Sequence, residues 1–428
     1  MMMKNVLILC PTRREYGYLP AVADELGCRL VFDEFAGDYF DRQLAGGRAI
    51  AAQPLDILSL IEATVERYRQ SDIAGVTSAE GYPGMAVASI VAERLGLAGT
   101  KIGRVLLCEH KYYSRVAQRA LVPAAAPSFR IVQPANLEHS APDLPFPIFL
   151  KPVKSCFSIN AQKISSLPEL RRAASGGLLP EGFLRPFNDL LRAHTDYAYD
   201  ASHLLAESLL EGVQVSLEGY VFRGRPHVLG IVDSLMFPGT ISFERFLYPS
   251  RLPAEVQAAM SRIAETFMGG IGYDNALFNM ELMYNPATGE IHIIEVNPKI
   301  ASQFPDLFEK VDGASSYVTL LQLALGEEPS FPRGRGAFKL AASCVLRTFA
   351  DKRVVRVPSG EQLAELARVF PDARVEVAVG VGDLLSDIMQ DGKSFRYGLV
   401  NIGANSLEEL DAKLARCETL LDFQFAAP

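Results

Sequence analysis

The chain has 428 residues, 49% of them hydrophobic and 21% charged, with no tryptophan; that composition excludes long disorder, collagen-like repeats and a simple coiled coil. A formal charge of −8, from 42 basic against 50 acidic residues, argues against a protein whose main task is gripping a nucleic-acid backbone. At ~150 residues per domain the length suggests roughly three domains, enough chain to bury a core without disulfide or metal staples.

Residues 1–110 alternate strand and helix signals. Val6–Cys10 is a continuous apolar run closed by Pro11, as expected of a strand buried on both faces. It is too short for a membrane span of ~20 residues and lacks the ~7–15-residue apolar core of a secretory signal. Arg29–Phe35 and Ile73–Thr77 read as further strands, and Asp56–Gln70 and the stretch from Pro83 to Leu95 as helices. This alternation implies a parallel α/β sheet, whose ligands sit at the carboxyl ends of strands, here the Pro11–Gly17 and Thr77–Gly81 loops. The six cysteines (Cys10, Cys28, Cys108, Cys156, Cys344, Cys417) are scattered without a CxxC pair. The expectation is buried, reduced thiols in a cytoplasmic protein.

Beyond Glu109, Lys111 and Arg115 sit four apart on a predicted helix and so share a face. Phe146–Lys151 reads as a strand ending in lysine, followed by a polar loop, Lys154–Asn160. Residues 175–200 are rich in turn formers and read as an excursion from the core. Strand signals return at Leu204–Glu207, Val213–Phe222 and Val228–Val232, and a helix runs from Pro253 to Met268. The stretch Phe243–Ser250 reads as loop. Asn275–Met283 and Glu290–Asn297 form a predicted hairpin. The last hundred residues mix strands (Lys339–Leu346, Arg374–Val379) with helices (Glu361–Phe370, Leu407–Leu420).

Alternation along Ile291–Asn297 points Glu295 and Asn297 the same way, with Glu281 in the partner strand. Two carboxylates beside apolar residues repel each other and lose solvation. A divalent cation removes that objection, and two carboxylates with an amide oxygen suit Mg²⁺, which usually also keeps waters and phosphate oxygens. Magnesium held by few protein ligands implies a nucleotide polyphosphate and nearby cations. Lys111, Lys151 and the 154–160 loop are the candidates. Neither GxxxxGK[ST] nor a strand-anchored GxGxxG occurs.

The run Phe278-Asn279-Met280-Glu281, followed by Ile293-Ile294-Glu295-Val296-Asn297-Pro298-Lys299, resembles the ATP-grasp superfamily. The hinge stretch Ala206-Glu207-Ser208-Leu209-Leu210-Glu211-Gly212 supports this. The resemblance covers essentially the whole chain and is greatest to the carboxylate–amine ligase branch, which includes the L-amino-acid ligases; biotin carboxylase is more distant. It implies an α/β fold in three parts: a pre-ATP-grasp parallel α/β domain (1–110), an ATP-grasp domain (111–330) of α+β lobes (about 111–205 and 206–330), and a C-terminal α+β closing domain (331–428).

Carried over by position, the resemblance implies that Lys111 and Lys151 contact ATP phosphates while Lys154, Ser155 and the rest of their loop fold over them. Glu207 and the backbone near Leu210 would read the adenine edge, with Ile294 on the apolar floor. Gln214 stands where the family usually has a ribose-binding glutamate. Glu281, Glu295 and Asn297 would hold Mg²⁺, or Mn²⁺ in its place. Lys299 replaces an arginine common in the family, a planar fork exchanged for a point charge. Asn279 replaces the arginine of the D-alanine ligase branch, and Ile300–Phe304 replaces a glycine-rich end. Lys299 and Arg245 are the candidates for holding a carboxylate or acyl phosphate. The implied activity is ATP-dependent, ADP-forming amide or peptide bond formation between a small-molecule carboxylate and an amine. A biotin-carboxylase-like enzyme, a small-molecule kinase and a non-catalytic nucleotide-binding module are the alternatives. Partners would be small substrates and a second copy in a homodimer, with no nucleic acid or membrane.

Overall fold

A computed structural model describes residues 3–40, 55–137, 143, 145–156, 158–388 and 394–428. Near the N-terminus, β1 (Lys4–Leu9), β2 (Cys28–Asp33) and β3 (Ile73–Thr77) form a parallel sheet in the order β2-β1-β3. Val6, Leu7, Ile8 and Leu9 are fully buried, because helices cover both faces of such a sheet. The helix Arg13–Leu26 follows β1 directly. Thr12 and Glu15 close a capping box at its start, with the Glu15 carboxylate accepting from Thr12 N–H at 2.8 Å and satisfying an otherwise orphaned donor.

The next part is a four-stranded antiparallel sheet ordered β4-β7-β5-β6, from β4 (Phe129–Val132), β5 (Ile148–Pro152), β6 (Gln162–Ile164) and β7 (Leu204–Ser208). Within the expected excursion at 175–200 lies a regular helix, Glu181–His194, burying Phe183, Leu184, Phe187, Leu190 and Leu191. Its turn formers mislead. Pro186 has no N–H to offer the carbonyl of Gly182, and the Tyr39 hydroxyl donates to that carbonyl instead, at 3.1 Å. The apolar residues on the inner face hold the helix in place despite the proline.

The largest sheet has eight strands, all antiparallel to their neighbours, in the order β12-β11-β8-β9-β10-β13-β16-β15. They are β8 (Val213–Phe222), β9 (Arg225–Met236), β10 (Phe243–Tyr248), β11 (Ala276–Tyr284), β12 (Ile291–Asn297), β13 (Leu340–Thr348), β15 (Arg374–Val377) and β16 (Phe395–Ala404); β14 (Arg353–Arg356) pairs with β17 (Gln424–Ala426) apart from them. The stretch read as loop at 243–250 is thus mostly strand β10, whose charged residues Glu244 and Arg245 disguise it. Strand β16 carries no expectation from the sequence at all. Because β10 pairs with both β9 and β13, one sheet runs unbroken from the β11–β12 hairpin to the C-terminal strands. The helices Gly360–Val369 and Leu407–Leu421 cover its far end, over a core that includes Leu346, Leu366, Val400, Ile402, Leu410 and Leu421.

Gly212 ends the hinge after β7 at φ +137°, a backbone angle that favours glycine, and a Cβ there would lie 2.1 Å from the carbonyl oxygen of Tyr284. Gly212→Ala is therefore expected to cost about 2 kcal/mol or more, read as an earlier first transition in thermal unfolding. An unchanged melt would show that the hinge and the 284–290 turn do not pack as described.

Candidate active site

Residues directly opposed across an antiparallel ladder share a face. Glu281 opposes Glu295 on one side and Ser216 on the other, while Asn279 opposes Asn297 and Glu218. The result is a polar row on one face of β8, β11 and β12, with Gln214 at its end, donating to Glu281 Oε2 at 2.9 Å. Between Glu281 and Leu282 the register slips: Glu281 faces Glu295 but Leu282 faces Ile293. Half-buried Ile294 is therefore the extra residue of a β-bulge, whose ladder is locally disrupted.

That freed carbonyl is the focus of a buried cation cluster. Arg115 Nη2 donates to it at 2.6 Å and Lys151 Nζ at 3.3 Å. The same two side chains hold Glu207: Arg115 Nε lies 2.5 Å from Oε1 and Lys151 Nζ 2.7 Å from Oε2. Gln118, one turn along the helix Lys111–Leu121, accepts from Arg115 Nη1. Lys111, one turn the other way, lies 3.4 Å from Glu295 and donates to the Ser155 carbonyl at 3.2 Å. Arg115 is 2% exposed. Burial alone would push the Glu207 carboxyl up, but Arg115 and Lys151 outweigh it and hold it low. Burial lowers the Lys151 ammonium despite Glu207.

Both oxygens of Glu207 are thus occupied by cations, which corrects its expected place at an adenine edge; it orients Arg115 and Lys151. Half-buried Leu210 lies just past β7, outside this cation cluster. Arg115 itself was legible only as the face-mate of Lys111.

A second cluster lies between the N-terminal domain and Lys299. Lys154 pairs with Glu109 and stands over the rings of Tyr82 (4.7 Å) and Phe187 (5.1 Å). Lys299 Nζ lies 3.5 Å from Glu80, in the loop after β3. Glu80 foremost, and then Glu109, raise the Lys299 ammonium above its ordinary value, against the opposing effect of burial. A Cβ at Gly81 would come 2.3 Å from Glu109 Oε1, so a larger residue there would displace that carboxylate. Glu80 and Glu109 are functional candidates that residue types alone did not single out; the position of the Thr77–Gly81 loop at a strand's carboxyl end was the available signal. Ser155 follows Lys154 in the loop, of which Phe157 lies outside the described residues.

Arg245 does not join either cluster. It sits on β10 opposite Cys344, with Nη1 2.6 Å from Asp411 and Nη2 3.6 Å from Glu244. The expected role in holding an acyl phosphate is corrected accordingly: strand pairing commits its side chain to the C-terminal helix.

Among the described residues no three His, Cys, Asp or Glu side chains form a metal cage. The available donors are two carboxylates and an amide. Asn297 Nδ2 lies 3.2 Å from Glu295 Oε1. Burial foremost, then Glu295, drives the Glu281 carboxyl up, whereas Lys111 and Lys151 outweigh burial and hold Glu295 low. Such a pair fits a divalent cation, which would neutralise the repulsion that otherwise keeps one of them protonated.

Residues 144–304 match the family described as ATP-grasp domain. The chain carries an ATP-grasp domain. A D-alanine–D-alanine ligase from Flavobacterium psychrophilum is 24% identical over 200 residues, spanning 44% of this chain and 54% of that protein; the match thus spans about half the length of that relative. The fold is similar to that of an L-amino acid ligase from Bacillus licheniformis (TM-score 0.72, 17% identity, 99% of each chain). It is similar also to the biotin carboxylase domain of 2-oxoglutarate carboxylase from Hydrogenobacter thermophilus, solved with MgADP and bicarbonate (0.65, 17%, 100% of this chain and 91% of that). An N5-carboxyaminoimidazole ribonucleotide synthetase from Thermus thermophilus gives 0.64 at 17% identity, covering 98% of each chain.

Within the eight-stranded sheet, fully buried Glu218 accepts from Ala301 N–H at 2.8 Å, tying β8 to the chain just after Lys299. Burial pushes its carboxyl from 4.5 up to about 8, against the opposing pull of the Ala301 N–H and Ser316. The unfolded chain therefore ionises this group first as pH rises. Stability is fully present below about pH 4.5 and is lost as pH climbs towards about 8, by at most about 1.4 kcal/mol per pH unit. Glu218→Gln keeps the acceptor and removes the titration, so its melting temperature is expected to fall less than the parent's between pH 5 and pH 8. Parallel pH profiles for the two proteins would mean that Glu218 is ionised when folded.

Proposed function

We propose that this protein is an ATP-dependent carboxylate–amine ligase that joins two small molecules through an acyl phosphate, releasing ADP and phosphate. The observation that carries the reading is the row of Glu281, Glu295 and Asn297 beside Lys111, next to the Arg115–Glu207–Lys151 cluster. The ATP-grasp family match and the fold likeness to an L-amino acid ligase support it. In this reading residues 1–110, 111–330 and 331–428 act as pre-grasp, grasp and closing domains of a cytoplasmic enzyme, in keeping with the lack, among the described residues, of a helix long and apolar enough to cross a membrane. A homodimer is its expected assembly.

A carboxylate resists nucleophiles because its charge is delocalised and oxide is a poor leaving group. Its oxygen would attack the γ-phosphorus of ATP, the bond to the β-phosphate oxygen would break, and ADP would depart. The amine nitrogen would then attack the acyl carbon, phosphate would leave, and the nitrogen would shed its proton. Glu281, Glu295 and Asn297 would hold Mg²⁺, which when bound neutralises charge between the phosphates. Lys111 and Lys151 would supply fixed positive charge to the same phosphates, oriented in advance by Glu207 and the Ile294 carbonyl. Gln214 would hydrogen-bond the ribose, and Ile294 would floor the adenine. Lys299 would hold the substrate carboxylate, exchanging Glu80 for it. Lys154, Ser155 and their loop would close over the phosphates and keep water from the acyl phosphate.

ADP release across a panel of carboxylates and amines, with product mass, tests the proposal. An amide that requires both substrates is the expected product. Turnover with bicarbonate and biotin alone, a stable phosphorylated product, or nucleotide binding without turnover would each replace it. Glu295→Ala is expected to lower ADP formation by on the order of 100-fold or more with the circular dichroism spectrum unchanged, and undiminished turnover would remove the metal assignment.

A further inference from the structure

We propose that Glu109, Tyr82 and Phe187 form an autoinhibitory cage that holds the Lys154 ammonium away from the nucleotide phosphates until a nucleotide draws it out. Lys154 lies two residues past the end of β5 and three beyond Lys151. The backbone there borders Lys111, a phosphate contact in the ligase reading: Lys111 Nζ donates to the Ser155 carbonyl at 3.2 Å. The Lys154 side chain takes another course. It is 4% exposed and pairs with Glu109, at the end of the helix Ile102–Glu109. Its Nζ stands 4.7 Å from the centre of the Tyr82 ring and 5.1 Å from that of Phe187.

Three separate stretches of chain supply the cage, and each wall is held from behind. Tyr82 is edge-on to Phe187, with ring centroids 5.1 Å apart, and also to Phe183 and Phe40, at 5.4 and 5.3 Å. Its hydroxyl donates to the Phe183 carbonyl at 3.4 Å. Phe187 is fully buried, and Glu109 packs against Gly81. Burial lowers the Lys154 ammonium from its ordinary value, against the opposing pull of Glu109. Water is replaced here by one carboxylate and two ring faces, which attract a desolvated cation more strongly than an exposed one. A cation satisfied in this way must leave before it can meet a phosphate. The apparent affinity of a ligand that needs the released state falls in proportion to how little of that state is populated. The sign of the effect separates a cage from ordinary positioning: a group that orients Lys154 for phosphate helps nucleotide binding, whereas a group that competes with phosphate hinders it. That released Lys154 meets phosphate rests on the ligase reading above; the cage itself does not.

The test is the dissociation constant of MgAMP-PNP, a non-hydrolysable ATP analogue, measured by titration calorimetry with adenosine as the phosphate-free control. Glu109→Gln is expected to lower the MgAMP-PNP Kd at least fivefold. Phe187→Leu, which removes a ring face without changing charge, is expected to lower it at least twofold, with adenosine unmoved in both. Lys154→Met is expected to raise the MgAMP-PNP Kd at least tenfold and, combined with Glu109→Gln, to cancel the gain. An unchanged or raised Kd in either cage variant, once folded, overturns the cage, and Phe187→Leu decides if Glu109→Gln does not fold. A gain that persists in the Lys154→Met background comes from lost negative charge alone and overturns it equally. A Lys154→Met protein that binds MgAMP-PNP as the parent does removes the cage's role and leaves the ligase reading standing. Lys154-dependent gains with no ADP release on any pair of substrates support the cage while removing the ligase reading, and a parent that binds no MgAMP-PNP removes both.

Discussion

A single backbone carbonyl, that of Ile294, joins the eight-stranded sheet to the helix Lys111–Leu121 and to the four-stranded sheet. It is available because a β-bulge takes Ile294 out of the β11–β12 ladder, and a buried carbonyl left without a donor would cost free energy comparable to a lost hydrogen bond. Arg115 and Lys151 supply the donors. Arg115 uses its planar fork to reach Glu207, Gln118 and Ile294 at once, which a lysine could not do with a single ammonium. Such buried charge clusters add little net stability, since desolvation offsets attraction, yet breaking one partner is costly. Their value is geometric: two cations are held at fixed positions beside the acidic row.

That geometry determines how the acidic row is charged. Lys111 lies on the Glu295 side of the pair, so Glu295 keeps its charge, while burial and then Glu295 drive Glu281 towards the protonated form. Gln214 steadies Glu281 through its amide. Ligation of a cation by both carboxylates would require the second proton to leave, so cation binding would be coupled to proton release. The lysines also limit how much negative charge the row presents.

The hairpin was legible because alternation along β11 and β12 is a local signal, and its acidic residues stand out against apolar neighbours. The parallel N-terminal sheet was legible for the same reason, from its continuous apolar strands. The bulge was not, since a one-residue slip leaves composition unchanged. The helix at 181–194 and strand β10 were hidden by residues of contrary propensity, Pro186 and the Glu244–Arg245 pair, which tertiary packing overrides. The partners Glu80, Glu109 and Glu207 depend on contacts spanning tens to hundreds of residues. No short-range pattern encodes which carboxylate meets which lysine, so Arg245 resembled a site residue until strand pairing placed it against Asp411.

The segment following Asn297 shows how these parts are kept in step. Asn297 ends β12, Lys299 meets Glu80 of the N-terminal domain, and Ala301 N–H is held by Glu218 of β8. Ser302 then meets Arg14, and Gln303 Nε2 lies 3.4 Å from Ser343 Oγ of β13, before buried Phe304 enters the core. Successive residues are therefore tethered to different parts of the chain. A displacement of the N-terminal domain would act on Lys299 and Ser302 together, while the eight-stranded sheet holds Asn297, Ala301 and Gln303. Lys299 thus sits on the side of this short segment tied to the N-terminal residues, and Asn297 on the side tied to the eight-stranded sheet.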